Sequence, residues 1–340
     1  MIDINDYDFE LPEDLIAQHP LEKRDDSKLL VYDREKQSIT DKHFSDIVDL
    51  LDEGDILVLN NSKVIPARIY GCREGKEESV EFLLLHEVEK DIWTCLCKPG
   101  KKAKVGSVFY FGDKLSIEVI SYDEEGIRTV KMHYNGVLLE ILEEIGTMPL
   151  PPYIHEKLKD QNRYQTVYAK IPGSAAAPTA GLHFTEDLIK RIKEKGIEME
   201  YITLNVGLGT FKPVTEQNAE NHKMHEEEYY ISEEVADKIN HAKKSGKKIV
   251  AIGTTTVRTL ESAVKDGELQ AGHHSTSIFI YPGYKFKMVD SLVTNFHLPK
   301  STLIMLVSAI IGREKTLEIY KYAVNNRYRF FSFGDAMFIR

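Results

Sequence analysis

The chain has 340 residues, 42% hydrophobic and 29% charged, with a formal net charge of −10. That length suggests about two domains with a sizeable buried core, and the acidic balance excludes a uniformly basic nucleic-acid coat while leaving room for a local basic face. The cysteines, Cys72, Cys95 and Cys97, have neither the number nor the C-x-x-C spacing of a disulfide scaffold or zinc site, so a reducing cytoplasm is expected.

The first residues, M-I-D-I-N-D-Y-D, are acidic and lack the basic-then-apolar order of a secretory leader. A short helical start is expected near 15–18 and a strand at 28–33. Phe44, Ile47, Val48 and Leu51 recur at helical spacing until Gly54, and 55–59 reads as a buried strand ending on Asn60 and Asn61. From 64 to 147 short β-rich runs follow one another, at 80–86, 92–97, 107–111, 115–120 and 127–133, with a brief helix at 137–145. Spacing of about 8–12 residues with Pro-Gly and Gly-Asp turns suits a small antiparallel sheet or barrel. From 148 onward strands and helices alternate. Thr185 caps a helix over 186–195, 197–204 is a strand, and Ser232 caps a helix bearing Val235, Ile239 and Ala242. Next come a buried strand at 249–252, a helix from Thr254 through Val264, and a strand at 277–281. The apolar run 303–311 is far short of the roughly 20 residues a membrane span needs. It reads as a buried helix capped by Ser301 and stopped by Gly312. The expected class is α+β: a larger α/β domain from 1–63 and 148–340, with a β domain inserted at 64–147.

Several stretches could carry chemistry. Residues 173–184, G-S-A-A-A-P-T-A-G-L-H-F, hold almost no bulky side chains before Leu182. Small residues with two glycines let a ligand approach the backbone, or simply make a tight turn between packed elements. The stretch lacks both the phosphate-loop and the dinucleotide signatures. A second glycine pair, in N-V-G-L-G-T-F (205–211), follows a strand and reads the same two ways. In H-K-M-H-E-E-E-Y (222–229), His222 and His225 with the glutamates form a weak metal pattern, an acid–base pair or a solvated turn. His297 is a structural or catalytic histidine, and Y-R-F-F-S-F-G-D (328–335) a base-stacking segment or a core strand. Lysine clusters at 98–104, 190–195 and 243–248 are solvated faces or phosphate contacts.

Taken together, these motifs resemble a known family nearly end to end. L-P-E-D-L-I-A-Q-H-P (11–20), R-D-D-S-K-L-L-V (24–31), L-V-L-N-N-S-K-V-I-P-A-R (57–68), M-P-L-P-P-Y-I (148–154) and R-Y-Q-T-V-Y-A (163–169) belong to the pattern. So do the two small-residue loops, the 222–229 cluster, T-N-F-H-L-P-K-S-T-L-I-M-L-V-S-A (294–309) and Y-R-F-F-S-F-G-D-A-M (328–337). The chain is similar to the S-adenosylmethionine:tRNA ribosyltransferase-isomerases of queuosine biosynthesis. It departs from them at Asn205, where that family usually has histidine, so no imidazole role is expected there.

The resemblance implies a larger domain with a barrel-like β-sheet and helices, and a smaller, mostly β domain. It implies an enzyme that moves the ribosyl part of S-adenosylmethionine onto 7-aminomethyl-7-deazaguanine at the tRNA wobble position, yielding epoxyqueuosine, adenine and methionine. S-adenosylmethionine would be a consumed co-substrate, with no cofactor or metal. A monomeric, cytoplasmic protein without membrane contact is expected. Glu227 is the first candidate for the base, with His225 and His183 as further catalytic candidates. Substrate-binding candidates are Gly173, Ser174, Ala175, Ala176, Pro178, Thr179, Gly181, Phe184, Gly207, Gly209 and Thr210. For tRNA they are Lys101, Lys102, Lys104, Arg327 and Arg329. The rival readings are a metal-dependent hydrolase built on His222 and His225, and a non-catalytic tRNA-binding module.

Overall fold

The computed structural model describes residues 2–124, 126–156, 158–207 and 218–340. Short 3-10 turns, including Glu13–Leu15, lead into β1 (Lys28–Asp33), β2 (Ser38–His43), α1 (Ile47–Leu50), β3 (Ile56–Asn60) and β4 (Ser62–Val64). The chain then makes β5 (Arg68–Arg73), β6 (Ser79–Glu89), β7 (Ile92–Lys98), β8 (Val108–Phe111), β9 (Leu115–Tyr122) and β10 (Arg128–Tyr134). These six strands close into a barrel in the order β10-β7-β6-β5-β8-β9. Alternation along each strand explains the closure. Ile69, Phe82, Leu84, Cys95, Phe109, Ile117, Val119 and Val130 all point inward and are fully buried. Phe82 packs edge-on against Phe109 and Phe111, with centroids 4.9 and 5.5 Å apart. Helix α2 (Leu138–Ile145) adds Ile141 and Leu142 to this core. Backbone bonds in both directions between Arg68 and Thr147, at 3.2 and 2.8 Å, tie the entering and leaving chain together.

The remainder contains β11 (Ile171–Ser174), α3 (Glu186–Glu194), β12 (Glu198–Leu204), β13 (Glu227–Ile231), α4 (Glu233–Lys244), β14 (Ile249–Ile252) and α5 (Thr254–Ala263). It continues with β15 (Val264–Lys265), β16 (Glu268–Leu269), β17 (Gly272–Thr276), β18 (Ser291–Asn295), α6 (Thr302–Ile311), α7 (Arg313–Asn325) and β19 (Ala336–Ile339). Among the described residues the large sheet runs β17-β13-β12-β3-β14-β18-β19-β1-β2. Its centre, β12, β3, β14 and β18, is parallel. Both faces of a parallel sheet must be covered. Ile56 and Val58 of β3 face α4 and α5, whereas Leu57 and Leu59 pack with residues of α1 and α3. Helices α6 and α7 cover Leu30 and Tyr32 of β1 with Met337 and Ile339 of β19. The closed barrel is formed by strands between β4 and β11 in the chain, and among the described residues the large mixed sheet has nine strands.

The expected caps are present. Thr185, Ser232 and Ser301 accept from the amides of Leu188, Val235 and Ile304 at 3.1, 3.3 and 3.3 Å, and Gly312 ends α6 with φ of 85°. The strand expected at 277–281 is not formed. The ladder beside β13 is made by β17, whose exposed His273, His274 and Ser275 tolerate a sheet edge. The apolar side chains Ile278 and Ile280 instead pack into the core against α4 and α5. Residues 328–335 are not a core strand either: Arg327 and Phe331 take positive φ, 52° and 70°, and β19 begins only at Ala336. Among the described residues no helix is long and apolar enough to cross a membrane.

Candidate active site

Because the four central strands run parallel, their carboxyl ends lie at one edge of the sheet, where ligands of α/β proteins bind. β3 ends at Asn60, β12 leads into Asn205-Val206-Gly207, β14 into Gly253-Thr254-Thr255, and β18 into Phe296-His297. Asn60 binds β12 in both directions, donating to the Leu204 carbonyl (2.9 Å) and accepting its amide (3.0 Å). The small-residue loop lies across these ends. Ala175 donates to the Val206 carbonyl (3.1 Å), and Ser174 Oγ accepts the Val206 amide (2.9 Å) while donating to the Ala176 carbonyl (2.6 Å).

A pocket opens under this loop, walled by Ala177, Pro178, Thr179 and Ala180, by Gly253, Thr254 and Thr255, and by the 294–299 loop. Two polar atoms of its walls, Thr255 Oγ1 and Asn295 Oδ1, are buried without a partner among the described residues. A second cleft, of about 1120 Å³, separates the barrel from the sheet. The barrel side supplies Leu85 to Lys90, Trp93, Leu138 and Leu139; the sheet side supplies Gly173, Asn205, Gly207, His225 and Glu226 to Glu228. It too holds two buried atoms without a described partner, Trp93 Nε1 and Asn205 Oδ1. The pocket and the cleft meet at Val206. Buried polar atoms are nearly always satisfied in native folds, so these four of the eleven such atoms among the described residues are open to a bond from a ligand or a water in the two adjoining cavities.

The candidate residues divide accordingly. Pro178 and Thr179 wall the pocket, and Gly173 and Gly207 line the cleft. Gly173 has φ of 140°, and a side chain there would press on the Asn205 amide. Ala175 and Ala176 are 1% exposed, and Ala176 belongs to the core around α4 and α5. Phe184 is fully buried, edge-on to Phe44 at 5.1 Å. Gly181 is small because a Cβ there would collide with the Tyr168 hydroxyl. These four side-chain positions serve packing. Gly209 and Thr210 lie outside the described residues.

Glu227 is buried, and both its oxygens are occupied. Oε1 accepts the Gly207 amide (3.0 Å), and Oε2 is ion-paired with Nη1 of the buried Arg258, whose Nε donates to the Ile278 carbonyl (3.3 Å). The carboxylate is thus a fixed anchor for the 205–207 turn. His225, two residues earlier, is half-buried and lines the same cleft, with no hydrogen-bond partner among the described residues. His183 has both ring nitrogens engaged. Asn295 Nδ2 donates to Nε2 (3.2 Å), so Nδ1 carries the proton and donates to Ser27 Oγ (2.7 Å). Burial first, then the charges of Arg329 and Arg24, push this imidazole down to about 3, and it stacks on Phe44 at 4.8 Å. Buried, neutral and doubly bonded, His183 joins β18 to the turn before β1 and has no nitrogen left for a substrate proton. His297 is likewise pushed down to about 3 by burial, with Nε2 at 2.9 Å from Thr294 Oγ1.

Lys101 and Lys104 are exposed in the turn after β7, at the opposite end of that strand from the 89–92 hairpin lining the cleft. Lys102 is paired with Glu78 and Arg327 with Asp14, while Arg329 lies 3.9 Å from Asp335. Among the described residues no group of three His, Cys, Asp or Glu side chains is placed to hold a metal ion.

A family model described as queuosine biosynthesis protein matches residues 4–339. The chain belongs to that family. A relative from Clostridioides difficile (strain 630), named S-adenosylmethionine:tRNA ribosyltransferase-isomerase, is 56% identical over 337 residues, covering 98% of this chain and 99% of the relative. A crystal structure of S-adenosylmethionine tRNA ribosyltransferase from Thermotoga maritima is 38% identical with a TM-score of 0.56, covering 98% of this chain and all of that one. This member of the queuosine biosynthesis family is an enzyme, a transferase-isomerase of tRNA modification. Sequence reasoning missed Arg258, Asn60, Trp93 and Asn295 as parts of its site. The signal for Asn60 and Asn295 was a polar residue closing an apolar strand; Arg258 and Trp93 gave none.

Proposed function

We propose that the enzyme transfers the ribosyl part of S-adenosylmethionine to the aminomethyl nitrogen of 7-aminomethyl-7-deazaguanine at the tRNA wobble position. The products are epoxyqueuosine in tRNA, adenine and methionine. The observation that carries this reading is the pairing of two adjoining cavities, each with orphaned polar atoms. A reaction joining two large substrates needs two sites that meet, and holding them in register supplies much of the rate. The pocket at the strand ends, of about 80 Å³, has room for one end of S-adenosylmethionine, to which Thr255 and Asn295 present oxygens without a partner among the described residues. The cleft suits the modified base. Glu87, Glu89, Glu226 and Glu228 line it, and their carboxylates attract an aminomethyl group carrying positive charge.

A sulfonium acidifies the adjacent C5′–H. His225 lines the cleft with no hydrogen-bond partner among the described residues, and its imidazole is the group placed to accept this proton. Glu227 holds the Gly207 turn through Arg258 in place. Loss of adenine and attack of the amine follow, and closure of the epoxide expels methionine, so both leaving groups come from S-adenosylmethionine. Label in the ribosyl carbons of S-adenosylmethionine should appear in the modified tRNA. Label confined to free nucleoside products would reject the transfer. Trp93, the sole tryptophan, reports on the cleft: its emission should change when modified tRNA is added, and unchanged emission would place the base elsewhere.

A further inference from the structure

A third, small pocket shares Ser332 with the wall of the S-adenosylmethionine pocket. Three arginines from distant parts of the chain, Arg24, Arg163 and Arg329, line it together with Ser27, His183 and Ser332. Each guanidinium is braced by main-chain carbonyls. Arg24 donates to Leu182 (3.1 Å) and Asn162 (3.2 Å), Arg163 to Leu21 (2.6 Å) and Glu22 (3.3 Å), and Arg329 to His19 (3.3 Å). These bonds fix the guanidiniums without neutralising them. Two carboxylates act on them: Asp335, 3.9 Å from Arg329 Nε and already accepting the amides of Lys28 (2.9 Å) and Arg329 (2.7 Å), and Asp160, whose charge opposes the lowering of the Arg24 pKa. Arg163 Nε is buried with no partner among the described residues. The convergence of charge is felt locally: burial first, then Arg163, lowers the pKa of Arg24, and Arg329 and Arg24 both depress His183.

Three braced cations facing one small cavity repel one another unless an anion sits between them, and a planar guanidinium fork matches phosphate oxygens. We propose that this pocket binds one phosphate of the RNA backbone and so fixes the register of the tRNA on the enzyme. The carboxylate of S-adenosylmethionine is the other conceivable anion. The hydrogen bond from Asn295 to His183 stands between the two cavities, as does that between Tyr153 and Ser332 (2.6 Å). The phosphate is therefore the occupant that the walls favour. The assignment rests on the proposed tRNA substrate, so the test separates the two.

The variants are Arg163→Gln and Arg163→Lys, both checked for an unchanged melting profile; the lysine form keeps the charge and loses the fork should the glutamine form fail to fold. Three readings are taken: tRNA affinity across a salt series, the KM for S-adenosylmethionine, and the melting shift produced by inorganic phosphate against chloride at equal ionic strength. Arg163→Gln should weaken tRNA binding roughly ten-fold or more and reduce the salt slope by about 0.7–0.9, whereas Arg163→Lys should weaken binding through loss of the fork with the slope little changed. The KM for S-adenosylmethionine should stay unchanged, and phosphate should stabilise the wild type but not the variants. Unaltered tRNA affinity and slope would overturn the proposal, as would a rise confined to the KM for S-adenosylmethionine. A wild type that takes up phosphate here yet binds no tRNA would refute the substrate reading instead, and with it the RNA source.

Discussion

The buried histidine His183 yields a prediction whose size follows from its surroundings. It is 4% exposed and held neutral, with its pKa at about 3 in the folded protein. An unfolded chain would restore about 6.5. The folded pKa is the lower one, so between these values the unfolded state binds more protons. Stability from this group is then complete above the unfolded value and falls as pH drops. Between pH 7 and pH 5 the loss is about 2 kcal/mol, a figure that barely changes if the folded value lies a unit higher. His297 adds a comparable loss, while the raised carboxyls Asp55 and Asp335 act in the opposite direction. The clean comparison is therefore between wild type and His183→Gln, by denaturant unfolding at both pH values. The variant should be less stable at pH 7 by roughly 1–3 kcal/mol, because Ser27 and Asn295 lose a partner. It should also lose about 2 kcal/mol less than wild type on going to pH 5. Parallel pH profiles would refute the buried neutral imidazole.

The other consequences are sharper in their contrasts. Ala176→Leu should destabilise by about 1–3 kcal/mol through overpacking, whereas Thr179→Leu should raise the KM for S-adenosylmethionine with melting nearly unchanged; the reverse pattern would exchange the pocket wall and the core. Arg258→Gln should cost about 3–5 kcal/mol, because it leaves Glu227 buried without its ion partner, and near-normal stability in a denaturant titration would show that the pair is dispensable. His225→Ala should lower kcat by about 10²–10⁴-fold while the fold survives; a kcat close to wild type in single-turnover assays would move the proton acceptor away from this imidazole.

What was legible in the sequence was local. Thr185, Ser232 and Ser301 cap their helices because a short hydroxyl before an apolar-periodic run has few other uses, and five of the six barrel strands announce themselves by alternation between tight turns, β5 (Arg68–Arg73) being missed. Helix α7 is missed although Thr316, Ile319, Tyr320 and Ala323 fall at helical spacing. The strand expected at 277–281 fails for a different reason: apolar alternation marks burial, and Ile278 and Ile280 reach burial without a ladder. At the site, motif composition pointed to the right loops but not to each side chain's task. Glu227 reads as a base until Arg258, distant in sequence and placed inside an ordinary-looking helix, is brought against it. His183 reads as catalytic until Ser27 and Asn295 close on its two nitrogens. Such pairings depend on how the sheet orders its strands, which no local pattern encodes.

The central claim is ribosyl transfer with isomerisation, and the small products of a single reaction test it most directly. Purified enzyme, S-adenosylmethionine and tRNA bearing 7-aminomethyl-7-deazaguanine should release adenine and methionine in equal amounts, matched by the quantity of epoxyqueuosine formed. Appearance of S-adenosylhomocysteine in their place would mean methyl transfer and would contradict the account.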